Sequence, residues 1–267
     1  MTRTEIIMGM PITVAIPDRE ALDRDALVRE GALLPTLDAA AEAVFQTFRE
    51  VDERFSPYKE TSETSRIDRG ELNPRDASRE MREVLQRAEE TRRRTHGYFD
   101  VRFNGRFDPS GLVKGWAIWR AARILDADGF VSFCIEAGGD IEVRGANDEG
   151  KPWVVGIRSP FDPSLLIRRL NLPSCGIATS GTYIRGEHIW NPKTGSPANE
   201  IASLTVIGPN VYEADRFATA AFAMGPRGME FMAGLDGFEA YMVDASAAGS
   251  PLHAAGPRAS RGSRPEG

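Results

Sequence analysis

The chain predicts an α+β fold: one compact domain of antiparallel or mixed sheets with flanking helices. Three observations carry this. Segments with helical spacing alternate irregularly with clusters of short apolar runs, unlike the strict strand–helix rhythm of a doubly wound parallel sheet. Two such runs, Val131–Ala137 and Asp140–Arg144, are split only by Gly138-Gly139, which is a hairpin signal. No internal repeat occurs, and no Pro-, Gly- or Ser-rich linker divides residues 1–245.

Residues 5–17 (EIIMGMPITVAIP) read as one opening strand ended by Pro17. Residues 18–36 are polar and loop-like. Thr36 is placed to cap a helix over about 37–54, where Leu37, Ala41, Val44, Phe48 and Val51 recur at helical spacing. Residues 61–67 form a hydroxyl-rich loop. Ser78 caps a second helix over 79–95, with Met81, Val84, Leu85 and Ala88 on one side and a solvated Glu/Arg face on the other. His96-Gly97 breaks it. Asp108-Pro109-Ser110-Gly111 opens a third helix that runs to about Leu125. Further strands fall at Trp153–Ser159, 165–172, 175–180 and 202–208, then a helix at 213–224 and a last strand at 238–244. Residues 246–267 lack periodicity and are expected to be a disordered tail.

The bulk numbers exclude several classes. The 267 residues, 41% hydrophobic and 27% charged, can bury a sizeable core. A net charge of −6 argues against nucleic acid as the main partner, because phosphate contacts need a basic surface. No run of apolar residues is long enough to span a membrane. The first ten residues lack a sustained apolar stretch and a small-residue cleavage site, so the expected location is cytoplasmic unless a leader has been removed. Cys134 and Cys175 sit in apolar settings and read as buried free thiols. Two Cys and two His outside the tail make no zinc set.

Several short stretches carry chemistry. Gly111-Leu112-Val113-Lys114-Gly115 offers a helix N-terminus and a point charge suited to phosphate, or simply a glycine turn with an incidental lysine. The glycines of Gly138-Gly139-Asp140 permit close backbone approach to a ligand, or serve only a hairpin. Ser180-Gly181-Thr182-Tyr183 lacks a nucleophile elbow, so its hydroxyls are read as donors to phosphate oxygens or local backbone. His188, just before the turn Asn191-Pro192-Lys193-Thr194-Gly195, is a candidate general base. Asp215 and Thr219 are spaced i, i+4, which puts two hard oxygens on one helix face and suits Mg²⁺ bound with a substrate phosphate. The rival reading of Asp215 is a helix cap.

Taken in order over residues 8 to about 225, these stretches resemble one family. Met8-Gly9-Met10, Phe55-Ser56-Pro57-Tyr58 with Ser65-Arg66-Ile67, and Gly97-Tyr98-Phe99-Asp100-Val101 come first. The glycine–lysine stretch continued to Trp116-Ala117, Glu136-Ala137-Gly138-Gly139-Asp140-Ile141 and Ala178-Thr179-Ser180-Gly181-Thr182-Tyr183 follow. His188-Ile189-Trp190-Asn191-Pro192-Lys193-Thr194-Gly195 and Ala214-Asp215-Arg216-Phe217-Ala218-Thr219-Ala220 complete the set. Together they resemble the ApbE family of FAD:protein FMN transferases.

The resemblance implies an ApbE-like fold and cleavage of the FAD pyrophosphate, FAD being the substrate and Mg²⁺ the cofactor. FMN passes through a phosphoester to a threonine of an acceptor flavoprotein, and AMP leaves. It implies that Asp215, Thr219 and the main-chain carbonyl of Gly111 hold the metal, and that Lys114 lies close to FAD. Met10, Tyr58, Phe99, Asp100, Val101 and Ile189 then fall on segments lining the flavin and adenine pockets, and Ser180 is read with them as a cofactor-binding residue. His188 matches the family histidine suggested to deprotonate the acceptor threonine. Two alternatives are an Mg²⁺-dependent FAD pyrophosphatase giving FMN and AMP, and a non-catalytic FAD-binding carrier. The chain departs from many relatives at Asn191, where they carry Asp; an acceptor is kept and a charge is lost.

Overall fold

A computed structural model of the chain describes residues 1–22, 34–182, 189–245 and 252–256. Thr2–Ile7 (β1) and Met10–Ala15 (β2) pair as an antiparallel hairpin, not as the single strand expected over 5–17. Met8 and Gly9 both take positive φ, 56° and 70°, giving the two-residue turn whose twist suits a hairpin. Apolar Met8 hides that turn within a continuous apolar run.

Helix α1 (Leu37–Phe55) starts at its expected cap, the Thr36 hydroxyl accepting from the Ala39 N–H at 3.2 Å. Residues 61–67 are not a loop throughout. Ser62 caps a short helix α2 (Glu63–Asp68), which is anchored by buried Thr64 and Ile67 that the surrounding polar residues mask. Ser78 caps α3 (Arg79–Arg94) as expected, through the Met81 N–H at 3.1 Å. A two-stranded ribbon, Arg102–Phe103 (β3) and Arg106–Phe107 (β4), precedes α4 (Ser110–Ala127).

The strands Phe133–Ala137 (β5), Asp140–Arg144 (β6), Trp153–Arg158 (β7), Leu166–Leu172 (β8) and Cys175–Gly181 (β9) agree with expectation to within two residues at each end. Trp190–Asn191 (β10) and Ser196–Pro197 (β11) form a second small ribbon. Ile201–Gly208 (β12), α5 (Val211–Ala223), α6 (Gly228–Ala233) and Glu239–Asp244 (β13) follow. The stretch expected to be a disordered tail contributes one more strand, Leu252–Ala255 (β14), which pairs with β13. Backbone pairing at a sheet edge supplies that order, and composition does not report it.

Among the described residues, eight strands make one antiparallel sheet in the order β1-β2-β5-β6-β9-β12-β13-β14. Its two faces are covered differently, and the period-two alternation of β9 shows how. Cys175 and Ile177 join Val143, Ile207 and Tyr241 under the β7–β8 ribbon, whereas Ala178 packs with Leu204, Val206 and Phe217 on the helical side. There α5 lies on β9 and β12, with α4 between α5 and α1. Trp116 of α4 is fully buried and meets Phe55 edge-on at 5.3 Å. Both cysteines are free thiols, Cys175 buried and Cys134 pushed up to about 12 by desolvation.

The start of α5 is docked on the sheet with little tolerance. Asn210 caps it through the Glu213 N–H at 3.0 Å, and the fully buried Glu142 of β6 accepts from the Val211 N–H at 2.5 Å. Burial pushes the Glu142 carboxyl above its ordinary 4.5, outweighing the Arg144 guanidinium and the Val211 N–H. An acid raised in the folded state binds its proton more tightly when folded. Its contribution to stability is therefore full below about pH 4.5 and is lost as pH rises through the folded value. Glu142→Gln keeps an acceptor for Val211 but does not titrate. The melting temperature of the native chain minus that of E142Q is expected to fall as pH rises from 4 towards neutrality (roughly the window set by the raised carboxyl); a constant difference would refute the shift.

Candidate active site

A cleft opens where the N-terminal turns of α4 and the middle of α5 meet the ends of β6 and β9. It is lined by Phe99, Asp108, Gly111, Lys114, Asp215 and Thr219, among others, and holds about 980 Å³ counted to its open mouth. Its floor is a cross-link between two helices. The Asp215 Oδ2 accepts from the Gly115 N–H at 2.8 Å, and the Thr219 hydroxyl donates to the Gly111 carbonyl at 3.2 Å. In a regular helix the Gly111 carbonyl and the Gly115 N–H face each other as one rung; here both reach α5.

Glycine makes that approach sterically feasible. A Cβ on Gly115 would lie 2.5 Å from the Asp215 Cβ and 2.9 Å from the Val211 carbonyl, and one on Gly111 would lie 3.2 Å from the Thr219 Cγ2. Asp215 is 4% exposed and sits in the second turn of α5. The cap position belongs to Asn210, so Asp215 is not a helix cap.

These oxygens fit a hard cation. The Gly111 carbonyl, the Thr219 hydroxyl and the Asp215 carboxylate are all oxygen donors, the set that suits Mg²⁺. The 3.2 Å between the first two is close to the roughly 3 Å edge of an octahedron with Mg–O distances of about 2.1 Å. Among the described residues no group of three or more His, Cys, Asp or Glu could hold a metal. Carbonyl and hydroxyl donors around a single carboxylate are a different kind of site, and an anionic ligand would complete it.

Beside the floor, Lys114 Nζ lies 2.6 Å from Asp140 Oδ2, and the other Asp140 oxygen accepts from the Thr179 N–H at 3.1 Å. Asp140 follows directly on the Gly138-Gly139 turn, in which both residues have positive φ. Met10 packs against this turn, its Sδ 2.7 Å from where a Gly138 Cβ would stand. Asp140 is 1% exposed, so truncating the lysine leaves a buried carboxylate without its cation. Lys114→Ala is expected to cost about 3 kcal/mol in urea unfolding, and the double change with Asp140→Asn about 1 kcal/mol. Equal losses would show that the unpaired Asp140 carboxylate is not the source of the cost.

The mouth is aromatic. Phe103 on β3 stacks on Trp190 of β10, with ring centroids 6.3 Å apart and planes 24° apart. Tyr98 takes Lys193 Nζ over its ring at 4.3 Å and accepts from Arg227 Nη2 at its hydroxyl, 3.0 Å away. Flat apolar walls above a polar, cation-ready floor suit a ligand that joins a planar ring to a phosphate chain.

The family model described as "ApbE family" matches residues 8–105 and 101–242. The chain belongs to the ApbE family. Among curated relatives, the FAD:protein FMN transferase of Klebsiella pneumoniae (strain 342) is 32% identical over 146 residues, 51% of this chain and 42% of that protein. The Vibrio cholerae protein of the same name is 35% identical over 133 residues, 46% of this chain and 40% of that protein. The matched stretch thus spans less than half the length of these relatives. Two solved structures share the fold. The flavin transferase ApbE from Vibrio cholerae superposes with a TM-score of 0.78 at 22% identity, covering 96% of each chain. The ApbE protein of Thermotoga maritima gives 0.77 at 21%, again covering 96% of each chain.

Of the residues that the ApbE resemblance implies, the cleft brings together Phe99, Asp100, Gly111, Lys114, Ser180, Ile189, Asp215 and Thr219. Met10 stands behind the lining, against Gly138. Val101 belongs to the core, its carbonyl accepting from the Asp108 N–H at 2.9 Å. Tyr58 is 93% exposed on the turn after α1 and is not part of the lining. His188 lies outside the described residues, as do residues 183–187. Asn191 closes the β10–β11 turn, its Oδ1 accepting from the Lys193 N–H at 2.9 Å and its carbonyl from the Gly195 N–H at 2.9 Å. An aspartate would make the same turn, so the loss of charge leaves the ribbon intact. Sequence reasoning misses Phe103 and Trp190 as a pair, and also Asp108, whose carboxylate accepts from the Ser110 N–H at 2.8 Å where α4 begins. The Asp-Pro-Ser-Gly order holds a signal for Asp108. Nothing local marks the aromatic pair.

Proposed function

We propose that the chain is an Mg²⁺-dependent FAD:protein FMN transferase that releases AMP and leaves FMN on a threonine of an acceptor protein. The observation that carries this is the meeting of Gly111, Thr219 and Asp215 on one floor beside Lys114, in a member of this family. The names of the curated relatives support the same reading.

The residues fit a simple division of labour. Among the described residues, Asp100, Asp108 and Asp215 line the cleft with Lys114, itself paired with Asp140, so added positive charge favours the entry of a pyrophosphate. The Gly111 carbonyl, Thr219 and Asp215 would hold Mg²⁺, which would supply that charge and offset the charge that builds on the departing AMP. Lys114 neutralises a further phosphate oxygen, and Phe103 and Trp190 orient a planar ring. In the transfer, the threonine oxygen bonds to the FMN phosphorus and the bond from that phosphorus to the bridging oxygen breaks. The bridging oxygen departs on AMP, and the threonine proton passes to a base. His188 is proposed as that base from its place in the motif.

Incubation with FAD and Mg²⁺, with and without candidate acceptors, tests this. AMP release that depends on an acceptor, with covalent FMN on a threonine by mass spectrometry, is the expected result. AMP released equally fast without acceptor would make the chain a pyrophosphatase, and bound FAD with no AMP under any condition a carrier.

A further inference from the structure

Helix α4 has a second working face. At about 100° per residue, Trp116, Trp119, Arg120 and Arg123 lie on the side away from Lys114. There α4 and α3 enclose a groove of about 770 Å³, counted to its open mouth, whose lining of Arg79, Arg87, Arg120, Arg123 and Trp119 also includes Glu80 and Glu83. The two glutamates are already engaged. Glu83 pairs with Arg87 at 2.8 Å and accepts from Trp116 Nε1 at 3.2 Å, and Glu80 lies 3.6 Å from Arg54. Among the described residues, Arg79, Arg120 and Arg123 have no carboxylate within ion-pair distance.

The guanidiniums are held in place before any ligand arrives. Arg120 lies 4.8 Å from the Trp116 ring and Arg123 5.1 Å from the Trp119 ring, while Arg87 sits 4.8 Å from Trp119 and 4.9 Å from Tyr212. A guanidinium stacked on an aromatic face loses little freedom on binding and keeps its planar fork for a carboxylate. Arg, Trp and Tyr are also the residues that dominate binding at protein interfaces. Four arginines against two glutamates leave a local excess of positive charge that stands out in a chain whose net charge is −6. That same net charge opposes a long polyphosphate, which would feel the whole surface, more than a short acidic peptide, which feels the groove.

We propose that this groove docks an acidic segment of a protein partner, its carboxylates forked onto Arg79, Arg120 and Arg123. The groove faces away from the cleft, so docking here does not depend on what chemistry the cleft performs, and FAD does not compete for it.

A fluorescent oligoglutamate peptide, followed by anisotropy at low salt, is the probe. Saturable binding is expected, weakening about tenfold or more in the doubly reversed R120E/R123E chain and unchanged by saturating FAD. Arg79→Glu, on the other helix, gives an independent variant should the double change fail to fold, with melting curves as the check. No binding to the unaltered chain would overturn the proposal. So would binding unaffected by any of these reversals, or competition by FAD, which would place the peptide in the cleft. Equal, arginine-dependent binding of oligothymidylate or phosphatidylserine vesicles would also overturn it, showing a general polyanion surface.

Discussion

Asp215→Asn is expected to reduce Mg²⁺-dependent FAD cleavage by at least about 100-fold, roughly 3 kcal/mol of transition-state stabilisation, without loosening the fold. Asparagine has the same shape and keeps an oxygen to accept from the Gly115 N–H, which aspartate does at 2.8 Å. It removes the charge and turns the second carboxylate oxygen into an N–H donor. Because the side chain is 4% exposed, removing a buried charge in metal-free solution offsets the weaker acceptor left for the Gly115 N–H. Melting temperatures in chelator should therefore match within about 2 °C, less than 1 kcal/mol for a chain of this size. Added Mg²⁺ and FAD should raise the melting point of the native chain and leave that of D215N nearly unmoved, by mass action on a site that no longer binds. Full Mg²⁺-dependent turnover in D215N, or an equal thermal shift, would remove Asp215 from the metal site. Thr219→Val should fall short of this, at about tenfold, because it deletes a neutral ligand.

Local pattern and long-range packing divide what the sequence reveals. The i, i+4 spacing of Asp215 and Thr219 exposes their shared helix face, and Thr36 and Ser78 mark helix starts through their hydroxyls. Each is a signal contained within a few residues. That Asp215 meets the Gly115 N–H is not, because a hundred residues separate them and only the stacking of α4 on α5 joins the two halves. The resemblance links stretches that the fold brings to one cleft but does not report orientation, which is why Tyr58 is expected in the cleft and stands in solvent. The Phe103–Trp190 stack depends on two ribbons of two residues per strand, too short to give any periodicity. Likewise β14 has four residues and gains its order from pairing with β13.

The largest loss of stability is expected at a glycine that touches no ligand. A Cβ on Gly176 would lie 1.8 Å from the Val211 nitrogen, 2.0 Å from the Asn210 carbonyl carbon and 2.3 Å from the Val211 Cα. These are backbone atoms, so no side chain can swing aside, and Gly176→Ala must push the start of α5 off the sheet. Gly176 is paired with Glu142 across β6 and β9, so the movement also pulls Val211 away from the Glu142 carboxylate. A buried acceptor then loses its donor on top of the steric cost. The change should destabilise by about 3 kcal/mol or more, a drop on the order of 6–12 °C in melting temperature. Since α5 carries Asp215 and Thr219, the Mg²⁺ response should fall with it. Gly139→Ala is the matched control: φ is +91° but nothing lies within 4 Å of the new Cβ, so it meets only left-handed strain, about 1–2 kcal/mol. If both changes lowered the melting point equally, the close approach of α5 would cost no more than left-handed strain does at Gly139, and the docking of that helix through Gly176 would be wrong.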